Sequence, residues 1–243
     1  MNLSGKTAIV FGASSGIGRA TATALAAAGA EVWAAARRMP ELEDLAAEAG
    51  VSPVSCDVSD RASVDAAIAG ALDRAGRLDI VVNAAGLNIK RRQLGVLTGE
   101  DWERMIAVNL TGAFNTLQAA LGPMREGGGG LIVQVSSCSG RWGDQSGAAY
   151  QASKAGIIGL CQSAMAEERL NGIRATAILP GLVDTPFPMH RPNPPTRATL
   201  DRALLPEDIA AACVFLATLP PRAYIPELVM LPGALQFVGM TAA

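Results

Sequence analysis

"TAIVFGASSGIGRATATALAAAG", residues 7–29, decides the fold. It opens with a short apolar run, Thr7–Phe11, of the length and composition of a buried β-strand. A glycine-rich turn follows, and then an alanine-rich helical stretch near 17–28 that Gly29 ends. Gly12, Gly16 and Gly18 remove side chains where the strand hands over to the helix, and Ser14, Ser15 and Ile17 complete the loop. The free amides and dipole at a helix N-terminus favour an anion, so this turn reads as a phosphate cradle. A tight turn with no ligand is the plainer reading. The strand–turn–helix context is what favours the first.

The rest of the chain repeats the pattern. Candidate strands lie at 7–11, 31–36, 52–56, 78–82, 131–135, 174–179 and 227–231, with helical stretches near 17–28, 41–49, 61–75, 101–121, 150–170 and 207–217. Strand, helix, strand in succession means parallel strands joined by right-handed crossovers. The strands read as apolar on both faces, as a sheet covered by helices on both sides requires. The expected architecture is α/β, a single doubly wound parallel sheet of about seven strands in the order 3-2-1-4-5-6-7, spanning 1–243 as one dinucleotide-binding domain. The stretch 184–206, "DTPFPMHRPNPPTRATLDRALLP", holds six prolines. It is expected to be irregular, either a substrate lid or a disordered connection.

Composition narrows the class. Of 243 residues 50% are hydrophobic, 17% are charged and 4% are aromatic. That suits close-packed helices on a sheet. A formal charge of -2 gives no support to nucleic-acid binding. Cys56, Cys138, Cys161 and Cys213 form no C-x-x-C pair, and His190 is the single histidine, so no metal site is expected. No secretory signal or long apolar span is visible, so a cytoplasmic protein without a membrane partner is expected.

Three further motifs fall at the carboxyl ends of strands, and two more features lie in helical runs. "AAARR" ends the second strand, where an acidic residue would hold a ribose 2'-hydroxyl. Here Ala36 is followed by Arg37 and Arg38, which can pair with a 2'-phosphate or be solvated at a helix start. "CDVSD" ends the third strand with Asp57 and Val58, and Asp60 is a candidate N-cap. "VVNAAG" supplies Asn83, Ala84 and Gly86, small residues that let a ligand approach the backbone. Asn109 interrupts an apolar helical run, as hydrogen-bonded filler or as the holder of an ordered water. "AAYQASKAG" puts Tyr150 and Lys154 on one helical face, as a surface pair or as a proton-transfer device.

The spacing G-x-x-x-G-x-G, N-A-A-G, Asn109, Ser137, Y-x-x-x-K and P-G-x-x-x-T at 180–185 together resemble the short-chain dehydrogenase/reductase family, over about residues 5 to 238. The resemblance implies a catalytic tetrad of Asn109, Ser137, Tyr150 and Lys154. Tyr150 would be the general acid or base, and Lys154 would hold the nicotinamide ribose and favour the phenolate. Ser137 would orient the substrate oxygen, and Asn109 would anchor a relay water. It also implies that Asp57 and Val58 flank the adenine. Pro180, Gly181, Val183 and Thr185 would meet the nicotinamide amide and diphosphate. With no acid after Ala36, NADP(H) is the expected cofactor and NAD(H) the alternative. Members are usually tetramers or dimers that pair through helices like 101–121 and 150–170, so a homotetramer or homodimer is expected. Two departures stand out. Phe11 replaces the usual Thr, and the tail "YIPELVMLPGALQFVGM" lacks the common T-G-x-x-x-x-V-D-G-G ending, looking more like the branch with hydroxy-acid and serine dehydrogenases. The expected reaction is carbonyl reduction or its reverse on a small molecule, including a keto or hydroxy acid. A non-catalytic dinucleotide-binding regulator and an epimerase are the alternatives.

Basic residues near the expected site suggest an anionic substrate: Lys90, Arg91 and Arg92 after the N-A-A-G loop, Arg141, and His190, Arg191 and Arg197 in the Pro-rich stretch. Solvated surface charge is the plainer reading, and Arg91 and Arg92 have Glu100 and Asp101 as candidate partners.

Overall fold

The alternation of side chains along β1 (Thr7–Phe11) splits its apolar residues between two cores. Ile9 and Phe11 enter one, Ala8 and Val10 the other. The computed structural model describes residues 2–237 and 240–241; the ends of the domain expected over 1–243, and Val238 and Gly239 of the quoted tail, lie outside the described residues. In chain order the elements begin with β1, α1 (Gly16–Ala27), β2 (Glu31–Ala36), α2 (Met39–Ala49), β3 (Ser52–Ser55) and α3 (Arg61–Ala75). β4 (Ile80–Asn83), α4 (Gly99–Ile106), α5 (Gly112–Glu126), β5 (Gly130–Val135), α6 (Ala148–Glu168) and β6 (Ile173–Pro180) follow. The chain continues through α7 (Arg197–Leu200), α8 (Pro206–Thr218) and β7 (Glu227–Met230) to a short hairpin, β8 (Gln236–Phe237) with β9 (Met240–Thr241).

Seven parallel strands form one sheet in the order β3-β2-β1-β4-β5-β6-β7. Helices α3, α5 and α6 cover the face that holds Ile9, Phe11, Val81 and Ile132. Helices α1, α2 and α8 cover the other, against Val10, Val82, Val133 and Ile178. The order reverses at β1, whose neighbours are β2 and β4, and such a switch point opens a crevice at the strands' carboxyl ends.

Local signals set the element ends. Gly50 and Gly76 adopt left-handed backbone at the C-caps of α2 and α3 (φ +67° and +71°). The Asp60 side chain caps α3 by accepting from the Ala62 N–H. Thr98 caps α4 by accepting from the Asp101 N–H, so that helix starts ahead of the expected 101.

Two expectations need correction. The sheet is not apolar on both faces throughout. Edge strand β3 alternates half-buried and exposed residues and β7 is only partly buried, because an edge strand has a neighbour on one side only. The helix expected over 101–121 is also not continuous. A π-helical turn, Ala107–Thr111, separates α4 from α5, and the helical run extends to Glu126. Such a turn inserts an extra residue and often marks a functional site.

Candidate active site

The glycine loop is shaped by what a side chain would strike. Gly12 has φ +79°, and a Cβ there would lie 2.6 Å from the Ala85 nitrogen and 2.8 Å from the Ala84 carbonyl carbon. At Gly18 a Cβ would strike the Gly12 carbonyl oxygen. The loop is thus packed directly on the N-A-A-G segment, across the switch point. Ser15, the N-cap of α1, makes no side-chain capping bond, so the first amides of α1 are left free for an anion. Thr185 approaches the same helix start: a Cβ on Gly16 would be 3.1 Å from its Cγ2. Phe11, where the family has Thr, is fully buried and takes a core position instead.

Of the two arginines after β2, Arg38 meets this loop and Arg37 turns to the residues after β3. Arg38 donates to the Ser14 and Ser15 hydroxyls at 2.9 and 3.0 Å and to Glu41 at 2.8 Å. Arg37 is exposed, 3.9 Å from Asp57. The Asp57 carboxylate accepts from the Ser59 N–H and hydroxyl. Val58 is buried against Gly112, where a Cβ would meet its Cγ2 at 2.7 Å. These parts fit a dinucleotide: a cradle opened by three glycines, free helix amides, and cationic side chains where a ribose-binding acid would stand.

Asn83 ends β4 in a fully buried polar network. Its amide donates to Gln134 on β5 at 2.9 Å, and its oxygen accepts from the Ala85 N–H at 3.1 Å. Gln134 in turn donates to the Ala113 carbonyl and to Thr116. Satisfied in this way, the network rigidifies the loop that Gly12 packs on.

The π turn carries Asn109 inward. It is fully buried, accepting from the Leu87 N–H at 2.8 Å and donating to the Leu87 carbonyl and the Ser153 hydroxyl. Tyr150 and Lys154 lie one turn apart on α6, both buried, with the Lys154 Nζ 5.7 Å from the Tyr150 ring centroid. Lys154 donates to the Val135 carbonyl at 2.8 Å. A Cβ on Gly86 would be 3.4 Å from Lys154 Nζ and 3.5 Å from Asn109 Oδ1, so these three converge at the carboxyl edge of β4 and β5. Gly140 allows the approach from below, since a Cβ there would strike the Lys154 carbonyl carbon at 2.6 Å.

Ser137 follows β5 and starts a chain of hydroxyls. It donates to Ser139 at 3.2 Å, and Ser139 donates to Asp144 at 2.6 Å. Asp144 also accepts from the Ser146 N–H and hydroxyl. Burial pushes the Tyr150 phenol up to about 12, against the opposing pull of a Ser137 hydrogen bond. Burial pushes the Lys154 ammonium down to about 8. The expected lowering of the phenol by Lys154 therefore does not dominate in the protein alone, because desolvation of the phenolate outweighs it.

Beyond β6, Gly181 donates to the Met230 carbonyl, and Val183 bridges to Leu204. The stretch 184–206 is not structureless. A 3-10 turn, Phe187–His190, sets the Phe187 ring 6.0 Å from the Tyr150 ring, and Thr185 accepts from the Phe187 N–H. Arg197 and Arg141 do not line the cleft as free charges. Arg197 pairs with Asp184 and Asp201, and Arg141 with Glu227 on the edge strand. No ion pair joins Arg91 or Arg92 to Glu100 or Asp101 among the described residues.

Reading by sequence missed Gln134, Ser139, Asp144 and Phe187. Gln134 left a signal, a lone amide inside the apolar run "LIVQV". Phe187 left none, because its contact with Tyr150 depends on a turn among prolines.

Comparison with known proteins places this geometry. Residues 6–195 match the family model for short chain dehydrogenase. A 3-oxoacyl-[acyl-carrier-protein] reductase, FabG, of Thermotoga maritima is 35% identical over 228 residues, covering 90% of this chain and 92% of the relative. The closed form of a serine dehydrogenase complexed with NADP+ superposes with a TM-score of 0.87 at 29% identity, over 98% of this chain and 99% of that one. An alcohol dehydrogenase from the archaeon Thermococcus sibiricus, complexed with 5-hydroxy-NADP, has a TM-score of 0.81 at 34% identity, over 93% of this chain and 95% of that one.

Proposed function

This chain belongs to the short-chain dehydrogenase family, an enzyme acting on CH–OH or carbonyl groups with a nicotinamide cofactor, and from that premise we propose that it reduces a small carbonyl compound with NADPH, or runs the reverse, with Tyr150 as the acid or base. One observation carries the reading. Tyr150, Lys154, Asn109 and Gly86 converge at the carboxyl edge of the sheet, whose glycine loop tolerates no Cβ at Gly12 or Gly18.

When bound, the nicotinamide supplies or accepts the hydride. The rest is work for the protein. Tyr150 holds the proton that a developing alkoxide needs, and its raised pKa keeps it protonated at neutral pH. Ser137 aligns the substrate oxygen, held in place by Ser139 and Asp144. Lys154 holds the nicotinamide ribose from a position fixed by the Val135 carbonyl. Asn109, tied to Leu87 and Ser153, keeps the relay water behind Lys154. The roles of Asp57 and Val58 at the adenine, and of Asn83, Ala84, Pro180, Gly181, Val183 and Thr185 along the cofactor, rest on the motif likeness and on their place around the cradle. The stretch 184–206 acts as the substrate lid, a role that the Phe187–Tyr150 contact supports.

Selectivity for NADPH rests on Arg37 and Arg38. Hydrogen bonds to charged groups contribute roughly 1.5–3 kcal/mol each, about 10- to 150-fold. Wild type is therefore expected to prefer NADPH over NADH in kcat/KM, and Arg37→Ala and Arg38→Ala to erode that preference. A wild-type preference for NADH, or a preference that neither variant changes, contradicts the assignment.

The pH profile follows from the same groups. Reduction needs the Tyr150 proton and the Lys154 charge. It is expected to stay level up to about pH 8 and to fall above it as Lys154 deprotonates. Alcohol oxidation needs the phenolate and the same Lys154 charge, so it is expected to climb with pH to about 8 and to level off above it. Measuring kcat/KM in both directions from pH 6 to 10 checks this; oxidation that declines with pH contradicts it.

Among the described residues no helix is long and apolar enough to cross a membrane, in keeping with a cytoplasmic enzyme. A homotetramer or homodimer is the assembly we favour. An open apolar groove between α5 and α6, lined by Leu110, Phe114 and Leu160 with Gly156 and Gly159, supports pairing through these helices. Light scattering of the native protein decides the stoichiometry.

A further inference from the structure

Most arginines of this chain are either partnered or solvated. Eight make ion pairs with carboxylates. Arg169, Arg174 and Arg202 donate to backbone carbonyls. Arg74, Arg91, Arg104 and Arg222 are exposed. That leaves Arg92 and Arg191, which among the described residues are partly buried with no side-chain partner. A partly buried guanidinium without a partner loses hydration that no protein group replaces.

Their positions bracket Tyr150. Arg92 lies across the start of α6: a Cβ on Gly147 would strike the Arg92 oxygen at 2.6 Å, its Cβ at 2.7 Å and its Cγ at 3.0 Å. Gly147 is three residues ahead of Tyr150. Arg191 directly follows the 3-10 turn whose Phe187 packs on the Tyr150 ring, and its N–H donates to the Pro188 carbonyl. The two cations feel one another and the phenol. Burial and then the charge of Arg191 depress Arg92, while Asp144 and Tyr150 act in the opposite sense; Arg191 in turn favours the Tyr150 phenolate. Asp144 makes no ion pair with either arginine among the described residues, its carboxylate accepting from Ser139 and Ser146, so it offsets the pair's charge only in part. With Lys154 also cationic, the mouth of the site carries more positive than negative charge.

We propose that Arg92 and Arg191 form a carboxylate-binding subsite, and that the substrate is an oxo acid or its hydroxy acid, held by its carboxylate while the carbonyl faces Tyr150. The inference rests on the reading of Tyr150 as the reacting centre and adds the substrate's class to it. Two guanidinium groups converging on one carboxylate offer parallel, charge-assisted bonds. Arg191 sits on the Pro-rich stretch, so binding the acid would also draw that stretch onto the site.

The test uses 2-, 3- and 4-oxo acids and their methyl esters, with both NADPH and NADH, at low and high salt. At least one acid is expected to exceed its ester tenfold or more in kcat/KM at low salt, with the advantage shrinking as salt is added. In Arg92→Leu and Arg191→Leu the ratio of acid to ester is expected to collapse toward one. Esters turned over as well as acids in wild type, or a ratio untouched in both variants, would overturn the proposal while leaving the reductase reading intact. Thermal denaturation with the same acids and esters gives a readout without turnover. Stabilisation by an acid but not by its ester, lost in both variants, supports the subsite even if no compound reacts. No difference between acid and ester in that assay overturns it.

Discussion

Tyr150→Phe is expected to lower turnover by about 100- to 10,000-fold, the range that positioned general acid–base help contributes, while leaving the fold and cofactor affinity nearly unchanged. The substitution removes one oxygen. The ring keeps its place against Phe187 and the small residues of α6, so no cavity opens. Removing the hydroxyl also relieves the protein of a buried polar group whose ionised form burial strongly disfavours. The loss should therefore appear in kcat rather than in melting temperature or in coenzyme binding followed by fluorescence. A variant with wild-type turnover would show that some other group handles the proton.

Lys154→Met is expected to abolish most activity and yet not to weaken the fold at neutral pH. The Lys154 ammonium is buried and held by the Val135 carbonyl, and no carboxylate pairs with it among the described residues. Its folded pKa of about 8 lies below its ordinary 10.5. A lysine depressed in this way is charged in both states below about pH 8, where the folded state bears the whole penalty. The unfolded chain binds the extra proton between about pH 8 and 10.5, so this group's contribution to stability improves as pH rises through that window. The penalty is on the order of 3 kcal/mol, offset in part by the bond to Val135. Melting temperatures of wild type and Lys154→Met, compared from pH 7 to 10, should therefore converge with rising pH from a variant that is as stable or more stable at pH 7. A variant markedly less stable at pH 7 would make Lys154 a structural anchor rather than a strained functional cation.

The fold was legible because its signals are local and repeated. β-branched runs such as "TAIVF" bounded by glycine, and alanine-rich stretches with the 3.6-residue period, fix a parallel sheet before any long-range contact is known. The candidate site was legible for the same reason: the crevice at a switch point collects the loops that follow β1, β4 and β5, and the motifs sit on those loops. What the sequence hid depends on contacts distant in the chain. The π turn at Asn109 looks like ordinary helix in the sequence, and its inward swing is visible only against Leu87 and Ser153. The fate of the basic residues was equally hidden. Arg141 is claimed by Glu227, 86 positions away, and Arg197 by Asp184, whereas the side chains of Arg92 and Arg191 have no partner among the described residues. Only the folded chain separates paired from unpaired cations.

The most direct test of the central claim is to follow the nicotinamide absorbance while wild type and Tyr150→Phe are offered a panel of carbonyl compounds with NADPH and of alcohols with NADP+. The account predicts coenzyme turnover with at least one compound, matched by an equal amount of alcohol or carbonyl product, and its near disappearance in Tyr150→Phe. A protein that binds the coenzyme tightly but consumes none of it with any compound would contradict the account and point instead to a dinucleotide-binding regulator.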